Sequence, residues 1–375
     1  MPKLRFPGFE GEWERTSLGE KCKIIMGQSP DSASYNTIGV GIPLVQGNAD
    51  IKNRVSCPNR HTSKPTKICR PNSVLLSVRA PVGTVGIANQ TLCLGRGVCA
   101  IESDNNAFLY QFLIFKEDSW RNIEQGGTFT AINGDDIKKF TFIMPCEIER
   151  EKIATFLSLI DSSIATQRKL VELLKKHKRG LLNRIFERSK QTEEWKKYRL
   201  DQIAEINPSS ESLPCEFFYI DLESVSDGVW HDKKVVKKES APSRAQRVIQ
   251  KNDILFQMVR PYQQNNLHIT SSYDKPIVAS TGYAQIRTSQ NPSFIYWLLH
   301  SRTFLRKVLL RCTGSSYPAI NSSDLKEIYV SIPPLEYQDQ YARTLNSISQ
   351  KCNIEESLVC HLKNLKSGLL QQMFV

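Results

Sequence analysis

The stretch 153-IATFLSLIDSSIATQRKLVELLKKHKRGL-181 decides how this chain is built. Its seam positions are Ile153, Leu157, Ile160, Ile164, Gln167, Val171, Leu174, Lys178 and Leu181, separated by alternating steps of four and three. An average step of about 3.5 residues is the a/d seam of a heptad, narrower than the apolar stripe of an ordinary surface helix. Gln167 and Lys178 interrupt it with polar side chains, a device that fixes register at some cost in stability. Pro145 lies just before the pattern and no proline falls inside it. The reading is one long helix over residues 147–189, roughly 60 Å at about 1.5 Å per residue.

A shift of 188 residues, Ile153 onto Tyr341, gives the same seam again: Tyr341, Leu345, Ile348, Cys352, Glu355, Val359, Leu362, Lys366 and Leu369. The match runs outward without a gap. Ala131-Ile132-Asn133 falls on Ala319-Ile320-Asn321, Asp136 on Asp324 and Pro145 on Pro333. At the far end Gly180-Leu181-Leu182 falls on Gly368-Leu369-Leu370, and Phe186 on Phe374. About a third of the positions in 131–186 and 319–374 are identical. The period is far too long for a solenoid, so this is a duplicated domain, each copy ending in a long helix. Two equivalent helices meeting through one seam generate an approximate two-fold axis. Set perpendicular to the helices, it makes them antiparallel and sends the two domains to opposite ends.

The chain has 375 residues, enough for two domains with cores of their own. Its 10 cysteines show no C-x-x-C spacing, as expected of reduced thiols in a cytosolic protein. No secretory leader or membrane span is visible, which points to a cytoplasmic location. The net charge is +12, from 50 basic and 38 acidic residues, and suits a polyanionic partner.

Along the chain, WERTSLGEKCKII from Trp13 and WKKYRLDQIAEI from Trp195 open the two copies, with Leu18 matching Leu200. Short strands between Gly, Pro and Asn turns are expected at 42–46, 73–78 and 83–88, then a helix over 108–123. The second copy repeats the order, with strands at 217–220, 253–259 and 277–280 and a helix over 292–310. SVLLSVRAP from Ser73 lies beside DILFQMVRP from Asp253, so each copy places an Arg at or near the end of a buried strand, next to a Pro turn. Beyond these anchors the copies diverge. The scaffold is shared and the loops differ, and loops are where recognition usually sits.

The opening PKLRFPGFEGEW, the loop GGTFTAIN from Gly126, the following Pro and long helix, and the closing Gly-Leu-Leu with a Phe near the end carry a family resemblance. The chain resembles the DNA specificity subunits of type I restriction-modification enzymes over essentially its whole length. That resemblance implies an α+β fold: two pseudo-symmetric α/β target-recognition domains separated by an antiparallel two-helix coiled coil. The expected boundaries are 1–146 and 190–334 for the domains, and 147–189 and 335–375 for the spacer helices. It also implies double-stranded DNA, two methyltransferase (modification) subunits and restriction subunits as partners. S-adenosylmethionine, ATP and magnesium would then reside on those partners, with none in this chain. Gly314-Ser-Ser-Tyr-Pro stands where the first copy has Gly-Gly-Thr-Phe-Thr, a departure in that loop.

Half-sites one helical turn apart, about 34–36 Å, fall within the reach of such a helix pair, and unlike loops imply an asymmetric, bipartite target. Arg suits guanine O6/N7 and Asn or Gln suits adenine N6/N7, by paired hydrogen bonds. The candidates in the first copy are Gln46, Asn48, Arg79, Arg96 and Thr128. In the second they are Arg260, Tyr262, Gln263, Gln264, Asn265, Asn266 and Tyr317. The four consecutive amides 263–266 are chemically apt for adenine. Lys64, Lys67, Arg70, Arg244 and Arg247 are candidates for phosphates, which position without specifying.

Catalytic motifs are missing. Ile332-Pro333-Pro334-Leu335 lacks the polar first residue of an adenine methyltransferase tetrapeptide, and there is no GxxxxGK[ST] loop. The six histidines show no paired metal spacing. A non-catalytic DNA-recognition and scaffold subunit is expected. The alternatives are the same role in a type IIB-like methylase–nuclease, a DNA-independent coiled-coil adaptor, and an enzyme with an unrecognised site.

Overall fold

The computed structural model describes residues 2–124, 131–188, 194–209 and 212–374. The chain divides into two compact units, one of Met1–Arg168 with Ser357–Val375, the other of Lys169–Glu356. Each long helix, Glu147–Asn183 and Leu335–Phe374, therefore passes from one unit into the other.

In the first unit the strand Val74–Ser77 lies between Val98–Glu102 and Val85–Ile87 in a six-stranded sheet. Val74 and Leu76 face a core containing Phe108, Phe112, Leu157 and Phe374, while Leu75 faces a second core with Val45, Leu92 and Leu94. Burial on both faces is why this segment reads as an unbroken apolar run. The second unit repeats the plan. Ile254 and Phe256 face Phe294, Leu345 and Phe186, and Leu255 faces Ile220, Ile277 and Tyr283. The duplication also reaches segments where the sequence match is lost. The hairpin strands Ile51–Lys52 and Val55–Ser56 turn at Asn53 and Arg54 (φ 51° and 68°). Val225–Ser226 and Val229–Trp230 turn at Asp227 and Gly228 (φ 50° and 75°). Two central residues with positive φ make both of them type I′ turns.

Ile132 N–H donates to Val78 O at 2.9 Å and Ile320 N–H to Met258 O at 3.1 Å. Val78 and Met258 are therefore equivalent, and Arg79 corresponds to Val259, one residue before Arg260. The two strand-end arginines are neighbours in register rather than counterparts.

The helix read over 108–123 is two, Asn106–Phe115 and Glu117–Glu124, broken at Lys116. That read over 292–310 is Pro292–Leu299 and Arg302–Leu309. Ser301 caps the latter, its hydroxyl accepting from Phe304 N–H, so a local cap overrides a continuous apolar pattern.

Every seam position read from the heptad is buried or half-buried. In the first unit Lys366 Nζ donates to both oxygens of Asp161 (2.6 and 2.8 Å), beside the contacts of Leu157 with the core that holds Leu370. In the second, Lys175 pairs with Glu356, and Leu181 joins the core that holds Leu345. Within each unit the partner's number falls as the first rises, so the helices are antiparallel. Gln111 Nε2 also donates to Asp161 at 2.7 Å. Asp161→Ala leaves the buried Lys366 ammonium unpaired. The expected loss is about 2–3 kcal/mol, low in the range for broken buried pairs because Asp161 retains solvent contact. Lys366→Met should be near neutral, because an apolar side chain of similar volume needs no partner. Urea denaturation of both variants checks this, and a larger loss for Lys366→Met would contradict it.

Candidate nucleic-acid interface

In the first unit, backbone bonds gather several candidates at one end of the sheets. Gly95 N–H donates to Val45 O (2.8 Å), Gly97 N–H to Gln46 O (3.0 Å) and Val78 N–H to Gly97 O (3.0 Å). These bonds bring Gln46, Arg79 and Arg96 close together, with Asn48 on the short helical turn Asn48–Asp50. Gly97 makes the approach possible: a Cβ there would lie 2.3 Å from Gln46 O. Arg79 and Arg96 are exposed, and Arg96 Nε lies 3.4 Å from Ser29 Oγ. Lys64 and Lys67 are exposed. Thr128, with its loop, lies outside the described residues.

Arg70 is exposed but already paired. Its guanidinium is 2.8 Å from the buried Glu102 carboxylate, which Ser73 Oγ also contacts at 2.7 Å. Burial alone would raise the Glu102 carboxyl, but the bonds from Ser73 and Arg70 hold it below its usual value. In the second unit Asp253 stands at the place of Ser73 and Arg287 at that of Glu102, and the two pair at 2.8 Å.

The second unit builds its loop from the end of Ile254–Gln257. Arg260 and Gln264 both have φ of 53°, on either side of the helical turn Pro261–Gln263. Arg260 N–H donates to Pro318 O at 2.7 Å, and its guanidinium lies 4.2 Å from the Tyr317 ring centroid, a cation–π contact. Tyr262 and Tyr317 are 50% and 64% exposed, and Gln263 is exposed too.

The remaining amides do not face solvent as a reading edge would. Asn266 is 1% exposed: its Oδ1 accepts from Gln257 N–H (2.9 Å) and its Nδ2 lies 3.5 Å from His300 Nε2. His300 Nδ1 is 2.8 Å from Tyr296 O and its Nε2 3.3 Å from Gln264 O, and burial lowers the imidazole pKa. Gln264 is half-buried with Nε2 directed at His300 O (3.3 Å), and half-buried Asn265 donates its N–H to Gln257 Oε1 (3.0 Å). Of the row of four amides, Asn266 is withdrawn into the interior, Gln264 and Asn265 are half-buried, and Gln263 is exposed. Arg247 is also committed: it is half-buried, Nε donates to Tyr283 O (3.2 Å), and burial lowers its pKa. Arg244 is exposed.

The residue missed in the sequence is Gln257, at 1% exposure the organiser of this loop. A Gln inside an apolar strand was the available signal. Among the described residues no group of three or more His, Cys, Asp or Glu side chains could hold a metal ion. No described helix is long and apolar enough to cross a membrane.

The family model for the type I restriction modification DNA specificity domain matches residues 10–176 and again 192–363. The chain is 38% identical over 178 residues to a putative type I restriction enzyme specificity subunit, MjaX, of Methanocaldococcus jannaschii. That match covers 46% of this chain and 42% of the relative, so the chain aligns with under half of that relative's length. With the MjaIX specificity subunit of the same organism it shares 22% identity, over 96% of this chain and 92% of the other. The crystal structure of a type I restriction-modification S subunit from M. genitalium superposes with a TM-score of 0.69 at 16% identity, covering 100% of this chain and 99% of that one. Two matched domains, two copies of one scaffold and an antiparallel helix pair lead to one conclusion: this chain belongs to the type I restriction-modification DNA specificity family.

Proposed function

We propose that the chain reads an asymmetric, bipartite DNA target, one half-site per unit, and seats the subunits that carry the chemistry. The observation behind this reading is that equivalent strands end in chemically unlike loops. One offers Gln46, Arg79 and Arg96, the other Arg260, Tyr262, Gln263 and Tyr317. On this reading residues 1–146 and 190–334 are the reading domains, and 147–189 and 335–375 are the spacer helices. Lys64, Lys67 and Arg244 hold phosphates. Two methyltransferase subunits and the restriction subunits bring S-adenosylmethionine, ATP and magnesium, and the complex works in the cytoplasm.

A seat for protein partners is supported by exposed apolar residues away from the seam. Ile148, Leu159 and Leu170 are spaced three helical turns apart, and Ile354, Leu358 and Leu365 form a similar row on the second helix.

Methylation mapping of the complex formed with its methyltransferase subunits tests the reading. Arg260→Ala should relax one base position in one half-site only, at a cost of roughly 1–3 kcal/mol. Affinity should fall with salt at a log–log slope of about −0.9 per phosphate contact. Salt-independent assembly with no DNA binding would identify a coiled-coil adaptor instead.

A further inference from the structure

We propose that Gln263 faces DNA as a hydrogen-bond donor, and that buried Gln257 is the positioning residue that fixes this polarity. The inference rests on the proposal that this loop reads bases, and names the base it disfavours.

The polarity follows from a fixed starting point. A backbone N–H can only donate, and Asn265 N–H points at Gln257 Oε1 (3.0 Å). The other end of the Gln257 amide is therefore its NH2 group, which donates to Gln263 at 2.8 Å. The atom of Gln263 that receives it is the carbonyl oxygen. Gln263 thus turns its oxygen inward to a residue that is 1% exposed, and its NH2 outward from an exposed position.

Paired recognition of adenine needs an amide that offers donor and acceptor together. An amide with its oxygen turned inward offers the donor. It matches the major-groove acceptors, guanine O6 and N7, thymine O4 and adenine N7, and opposes the amino group of cytosine, the one base with no acceptor there. The loop thus disfavours cytosine at the position under Gln263. The equivalent of Gln257 in the first unit is Ser77, whose hydroxyl donates to Pro81 O (2.8 Å) and accepts from Thr84 N–H (2.8 Å). The same strand position thus shapes a different loop in each unit.

The test is a pair of substitutions that invert the outward group by independent routes. In Gln257→Glu the new carboxylate accepts from Asn265 N–H and from the Gln263 NH2, which turns the Gln263 oxygen outward. In Gln263→Glu the new carboxylate accepts from Gln257 and presents its second oxygen. The full complex with its methyltransferase subunits is assayed on a randomised target library, and base frequencies are read at every position. Gln257→Glu and Gln263→Glu should both raise cytosine at one position of one half-site, by about three- to tenfold. The other half-site is the internal control for folding and assembly. Continued exclusion of cytosine in both variants, with Gln263→Ala still altering that position, overturns the polarity and leaves the reading loop intact. An unchanged profile for Gln263→Ala removes this loop from DNA reading and overturns both. Should Gln257→Glu fail to assemble, Gln263→Glu, at an exposed site, decides alone.

Discussion

Phe374→Ala should unfold the first unit, although residue 374 stands at the other end of the chain. The Phe374 side chain is 5% exposed in a core with Trp13, Phe108, Phe112 and Phe115, at centroid distances of 6.4, 5.5, 5.8 and 5.6 Å. Removing a buried ring costs about 3–5 kcal/mol, a large part of a domain's stability. The counterpart is crossed. Phe186, in the π-helical turn Arg184–Arg188 that follows the first long helix, packs on Phe294 at 5.4 Å in the second unit. Phe186→Ala should therefore weaken the second unit and spare the first. Hydrogen exchange resolved by peptide is the measurement, with strands Val74–Ser77 and Ile254–Gln257 as reporters. Loss of protection in Ile254–Gln257 on Phe374→Ala would contradict the assignment of the helix ends.

The second large effect is expected from a charge in the seam. Leu157 and Leu345 are fully buried, each within the core of its unit. Aspartate at either place removes a packed side chain and buries an unpaired carboxylate, costing more than about 4 kcal/mol. Leu159, two residues along the same helix, is 62% exposed, and Leu159→Asp should leave the melting temperature within a few degrees. Thermal melts by circular dichroism of the three variants separate a packed seam from a merely amphipathic helix. Equal melting shifts for Leu157→Asp and Leu159→Asp would contradict the seam.

The long helices were legible because their signal is periodic and repeated. Eighteen seam residues in two copies all lie out of full solvent exposure. The strand 73–78 was legible as a buried run for the same reason. What the sequence left hidden depends on partners distant in the chain. Arg70 looked free until Glu102 folded beside it. Asn266 looked like a reading amide until Gln257 and His300 took up its polar atoms. Both split helices were missed because a capping serine at 301 and a break at Lys116 act over single residues, whereas apolar periodicity averages over several turns.

The helices that end in each other's cores also set an order of completion on the ribosome. The nascent first unit lacks Leu370, Met373 and Phe374 until all of Lys169–Glu356 has been translated, so it closes after the second unit although it is begun first. A stop codon at position 364 would therefore spare the unit made later and strip the one begun earlier of its floor.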